Sequence, residues 1–261
     1  MTVLKHELNR NKVSFLIWAG AITFLLCVSV FLFPEMRGEM EEVGKMFSEM
    51  GSFTAAFGMD KLDFGTLTGY YATECGNVLG LGGAFFASLS AVSALSKEEN
   101  YKTAEFLFSH PISRARVVGE KLLAVILSVT ALNVCVYAAS VLSVIAIGES
   151  VPWTEVNLLH LSYYIMQIEI ACVCFCISAF AGKGSAGIGL GVAAIMYFLN
   201  IIANITDSAE FLKYVTPFGY CDGASVVSDK AIDGVKIAIG LAVSAISVAL
   251  AFFKYTKKDI R

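Results

Sequence analysis

Apolar residues in this chain gather into long blocks, and the charges lie between the blocks rather than among them. Val13 to Phe33 carries no charge, and neither does Gly76 to Leu95. Leu122 to Gly148 is a longer uncharged run, and Val156 to Gly182 is interrupted only by His160 and Glu169. Gly184 to Thr206 is uncharged again, and Ile237 to Phe253 is bracketed by Lys236 and Lys254, whose long stems let their ammoniums snorkel to the interfaces. A helix crossing a hydrocarbon core about 30 Å thick needs about 20 such residues at about 1.5 Å each. The pattern therefore predicts six membrane helices, at about 13–33, 72–95, 120–147, 157–181, 184–205 and 236–253. The fourth and fifth are joined by a hairpin turn at Gly182-Lys183-Gly184. The expected fold class is all-α: a single transmembrane domain over residues 1–261, a polytopic bundle of six helices.

Composition agrees: 57% of the 261 residues are hydrophobic and 16% charged, where a soluble domain carries roughly 25% charge. The first block reads as a retained span and not as a signal peptide. It is longer than the roughly 7–15 residues of a signal core, and Glu35-Met36-Arg37 makes a poor cleavage site.

The segments between blocks divide by charge. The N-terminus, the 96–121 loop, Lys183 and the tail after Phe253 hold 13 of the 19 Lys and Arg residues, with six acidic ones. The alternate segments hold six basic and 15 acidic residues. Basic loops stay inside, so both termini are expected in the cytoplasm of a cell that carries this chain in its plasma membrane. Met1 to Lys12, with Leu4 and Leu8 among charges, suits an N-terminal interfacial helix. Outside, Glu39 to Met50 reads as a helix, and the aromatic Asp207–Val235 segment reads as one that dips back toward the membrane.

The inner loop after the second span is the richest. Ser96-Lys97-Glu98-Glu99 is a capping box that starts a helix over about 97–109. Tyr101, Ala104 and Phe108 share one face of it, Leu107 lies beside them, and Pro111 ends it and can begin the next helix near its first turn, so that Ile112 through Lys121 leads into the third span. Such a helix either rests on lipid headgroups or docks a cytoplasmic protein.

On these residues the chain resembles a family. Glu98-Glu99, Thr103-Ala104-Glu105-Phe106-Leu107, Ser109-His110-Pro111-Ile112-Ser113-Arg114 and Lys121 together resemble the first cytoplasmic loop of ATP-binding-cassette (ABC) exporter permeases of the type-2 class. Lys5-His6-Glu7-Leu8 with Trp18 is similar to that family's lead-in helix, Pro217-Phe218-Gly219-Tyr220 to its outer segment, and Lys258-Asp259-Ile260 to its tail. Lys102 departs from the pattern, which often has a small residue there. The resemblance implies a permease that forms half of a translocation pathway, beside a second permease that is either a copy or a relative. It also implies a separate ATPase subunit carrying ATP and Mg, docked on a coupling helix. Phe106, Leu107 and Phe108 would insert in the ATPase, Glu98, Glu99 and Glu105 would set register, and Thr103, Pro111, Ser113 and Arg114 belong to the same element.

No P-loop is expected in the chain itself. Gly182-Lys183-Gly184-Ser185 lacks the first Gly, which is Ile177 here, and has Gly directly after Lys. The competing readings are an intramembrane enzyme and a passive channel or scaffold. The enzyme reading finds no His-Glu-x-x-His, no Gly-x-Ser-x-Gly and no Asp in any span, so no catalytic residue, metal site, resident cofactor or nucleic-acid partner is expected. Cys172, Cys174 and Cys176 read as small apolar packing, and Cys75 and Cys221 are two outer cysteines, free or paired.

Two further groups stand out. Glu169 is the acidic residue well inside a span, with Gln167 close by in sequence, and such a group must be paired or wet. It serves either transport or a structural hydrogen bond. Gly76, Gly80 and Gly83 on the second span and Gly187 and Gly191 on the fifth allow close helix approach, either within the chain or across a dimer.

Overall fold

A computed structural model describes residues 2–49, 51, 54, 56, 62–97, 112–181 and 186–257. Its elements are helical, and six of its helices are long and apolar enough to cross a membrane. They are α1 (Thr2–Glu49), α2 (Leu67–Val92), α3 (Arg114–Ala146), α4 (Trp153–Phe180), α5 (Ala186–Ile205) and α7 (Gly234–Lys257). A short α6 (Gly223–Asp229) lies between α5 and α7. The chain is thus an all-α polytopic bundle, as its pattern predicts.

Helix ends differ from block ends, because capping and not polarity stops a helix. α1 joins the lead-in segment, the first span and the outer helix into one 48-residue rod that runs through Pro34. At about 1.5 Å per residue it reaches about 72 Å, roughly twice the hydrocarbon thickness. The N-terminal segment forms the first turns of this helix and is continuous with the first span, with Val3, Leu4 and Glu7 buried in the bundle. α3 starts well before its apolar run, where the Ser113 hydroxyl accepts from the Arg116 amide at 3.3 Å. It ends at Ala146, and Gly148 just beyond, with a φ of +78°, supplies the left-handed residue that closes the helix.

α4 is the central helix and packs on α2, α3 and α7. It buries Leu159, Met166, Cys174 and Phe175 together with the polar Ser162, Gln167 and Ser178. α1 meets the bundle through Ala19, Ile22, Leu26, Val30 and Phe33, spaced three and four apart, and packs mainly on α3. Its other face, with Leu16, Ile17, Phe24 and Phe31, is exposed.

α2 contains a π-helical stretch, Gly76–Leu81, which widens the helix where α4 crosses it. A Cβ on Gly76 would lie 2.9 Å from the Tyr163 hydroxyl, and one on Gly80 3.0 Å from the Tyr163 ring. Gly83 meets the Gln167 amide in the same way. These three glycines pack within the chain. On α5, Gly189 faces α2 while Gly187 is exposed and Gly191 has open space beside it.

After α5 the chain folds back into the bundle. Two 3-10 turns, Asp207–Tyr214 and Pro217–Tyr220, descend to the middle of α5, where the Thr216 hydroxyl donates to the Met196 carbonyl at 2.7 Å. Phe218 meets Tyr197 edge-on at 5.4 Å. α6 then rises, and Lys230 pairs with Glu155 near the start of α4 at 2.9 Å. We call the part around Pro217–Tyr220 the elbow.

Candidate functional site

Two polar sites lie at different depths. The first is at the basic end of the bundle, where the N-terminal turns of α1 meet both edges of the 98–111 segment. That segment, with Glu98, Glu99, Thr103, Glu105, Phe106, Leu107, Phe108 and Pro111, lies outside the described residues. Its two flanks are described, and both are tied down. On one flank the Lys97 ammonium sits 3.5 Å from Glu7 Oε2 and donates to Asn11 Oδ1 at 3.3 Å. On the other, Arg114 donates to the Thr256 carbonyl of α7 at 3.4 Å, and Ser113 caps α3.

Glu7 joins the two flanks. Its Oε1 lies 3.0 Å from the Lys121 ammonium, and the two side chains are 2% and 0% exposed, so this is an ion pair removed from solvent. Lys121 also donates to the Ala94 carbonyl at 2.6 Å, in the turn that follows α2. One lysine on α3 thus holds α1 and the end of α2 together. Burial, reinforced by the neighbouring Lys121 charge and opposed by Glu7, holds the Lys97 ammonium below the usual lysine range. Around this knot, Glu120 accepts the Leu4 amide at 3.1 Å and pairs with Arg116 at 2.9 Å. Ser178 of α4 accepts the Leu95 amide at 3.3 Å. Sequence reading took Glu7 and Lys121 as parts of separate motifs and missed their pairing.

The second site is inside the bundle, on α4. Gln167 and Glu169 are two residues apart, so they project about 200° apart around the helix, and the structure does not bring them together. Gln167 faces α2 and α3: it accepts from Asn133 at 2.7 Å and donates to the Leu79 carbonyl in the π-helical stretch at 3.2 Å. Glu169 faces the other way, and its Oε2 accepts the Tyr220 hydroxyl of the elbow at 2.8 Å. α7 passes close by at Gly240, where a Cβ would collide with that carboxylate. The sequence neighbours Tyr163 and Tyr164 are engaged elsewhere: Tyr164 pairs with Thr130 at 3.0 Å, and Tyr163 covers Gly76 and Gly80. Asn133 was missed, although an amide in an otherwise apolar run is a signal of the same kind as a carboxylate.

Toward the acidic end, His160 Nε2 lies 2.6 Å from the Tyr71 hydroxyl, tying α4 to α2. Cys75 and Cys221 are both buried and free, and Cys221 donates to the Ser162 carbonyl at 3.1 Å. A cavity of about 60 Å³ lies between α2, α5 and the elbow. Asn77, Asn200 and Asn204 line it, with Tyr197, Phe218 and Cys221. Among the described residues, no group of three or more His, Cys, Asp or Glu is placed to hold a metal ion.

Compared with known families, the chain matches the one described as ABC-2 family transporter protein over residues 1–260. A search of curated proteins finds no match.

Proposed function

This chain belongs to the ABC-2 transporter family, and from that premise we propose that it is the permease subunit of an ATP-driven exporter. The family makes it a multi-pass membrane subunit of an ABC transporter, a transport protein and not an enzyme. The finer reading adds four things. The basic end faces the cytoplasm across the plasma membrane. A separate ABC ATPase, carrying ATP and Mg, binds there on the 98–111 segment. A second permease, either a copy or a relative, completes the pathway. Cargo leaves the cell.

The observation that carries this reading is the knot at the basic end. A segment that receives force from an ATPase must be fastened to the helices it moves. Lys97 and Arg114 flank the segment, and Glu7, Lys121, Asn11 and Thr256 fasten those flanks to α1, α3 and α7. A push on the segment is then passed to several spans as a rigid-body movement.

The test is co-purification of the ATPase with the wild-type chain and with a Leu107→Ala/Phe108→Ala variant. If these two are anchors, truncation costs about 1–3 kcal/mol of association each, and recovery of the ATPase falls while membrane insertion stays normal. Equal recovery with intact transport would remove the docking role from the segment.

A further inference from the structure

Beyond the coupling reading lies the question of what the intramembrane carboxylate does. We infer that Glu169 is a positioning residue: through Tyr220 it holds the elbow in place as the wall of the amide-lined cavity.

Four observations lead there. First, the carboxylate is nearly enclosed, and Oε2 is engaged by Tyr220 at 2.8 Å. Second, Gly240 leaves α7 without a side chain at the one point where a Cβ would displace that carboxylate. Two different elements have therefore made room for, or contact with, the same group. Third, Glu169 does not line the cavity between α2, α5 and the elbow. It cannot bind cargo there directly. Fourth, the elbow separates the two. Phe218 and Cys221 face the cavity, while Tyr220 between them reaches Glu169 on the far side. The elbow is a partition one turn thick, pinned from behind.

The other side-chain bonds described on the elbow run to backbone groups: Thr216 to the Met196 carbonyl and the Phe218 amide, Cys221 to the Ser162 and Pro217 carbonyls, and Lys236 to the Gly219 carbonyl. Among these bonds, the one to Glu169 joins two side chains that are both buried, and a buried polar group left without its partner loses the full cost of its desolvation.

Cys221 is a native reporter, because its thiol is buried on the elbow beside the cavity. The experiment uses the full chain with Cys221 as its sole cysteine, in lipid nanodiscs, which expose both faces and require no ATPase. The rate of modification by a water-borne trimethylammonium-ethyl methanethiosulfonate is measured for the parent, Tyr220→Phe, Glu169→Leu and Glu169→Gln. Tyr220→Phe removes one hydroxyl and should raise the rate about tenfold, the factor expected when a buried acceptor is left without its donor. Glu169→Leu should match it. Glu169→Gln should stay within about twofold of the parent, because its amide oxygen still accepts from Tyr220. An unchanged rate in Tyr220→Phe overturns the inference, and so does a Gln variant as fast as the Leu variant, which would make charge the relevant property. Because no ATPase takes part, neither result bears on the coupling segment.

Discussion

Replacing Glu7 by Gln should unsettle the whole chain, although residue 7 lies on the first turns of its first helix. The Lys121 side chain is fully buried, and its partners include Glu7 at 3.0 Å and the Ala94 carbonyl at 2.6 Å. The substitution keeps the size of the side chain and deletes the negative charge between two ammoniums, Lys121 and Lys97. Lys97 is 13% exposed and can turn toward water; Lys121 has no such route. Breaking a buried pair by removing one partner costs about 3–5 kcal/mol, a large part of the roughly 5–15 kcal/mol that holds a domain folded. For a chain of this size each kcal/mol moves the melting temperature by about 2–4 °C, so Glu7→Gln should melt about 6–20 °C early. Trp18 and Trp153 report unfolding of the purified protein in detergent by their fluorescence. The double variant Glu7→Leu/Lys121→Met removes both charges, and apolar replacement of a buried pair is often neutral. It should recover most of the loss. A melting temperature within about 2 °C of wild type for Glu7→Gln, or strictly additive losses in the double variant, would show that the pair is not the clamp described above.

Two further outcomes can be measured on the same material. Gly83→Ala should lower stability by about 1–3 kcal/mol, since its Cβ must displace the Gln167 amide from Asn133 and the Leu79 carbonyl; Gly191→Ala, with open space around it, should leave the melting temperature unchanged, and equal effects would contradict this packing. In intact cells, cysteines at positions 63 and 229 should react with an impermeant thiol reagent on a background without native cysteines, while those at 12 and 257 should not; the reverse pattern would invert the orientation.

The spans were legible because a bilayer demands a fixed length of uncharged chain, and six blocks meet that demand. Their ends were not, for a physical reason. Charge marks where a helix leaves the hydrocarbon, but a helix goes on until its backbone is capped or turned. Glu39 and its neighbours change polarity without offering a stop, so α1 runs through Pro34 to Glu49. Ser113 offers a cap, so α3 begins there, close to the start after Pro111 that the sequence suggests, and not at the apolar run. For the same reason the lead-in segment runs on into the first span without a break.

The polar interior was half legible, and the two halves differ in what they require. That Glu169 needs a partner follows from its type and place, since a lone carboxylate in a span is costly. That Gln167 cannot help it also follows, from two residues of helical rotation. Naming Tyr220 requires knowing that the chain turns back after α5 and descends to the level of Met196, a path set by contacts between residues far apart in sequence. The same holds for Glu7 and Lys121, which are 114 residues apart. Gly240 carries the deeper point. Nothing in the α7 sequence distinguishes it from any other glycine in an apolar helix, yet it is where the carboxylate needs room. A buried charge dictates residues on its neighbours by what they must not have. That constraint leaves no motif along the chain, and it appears only when α4, α7 and the elbow are seen together.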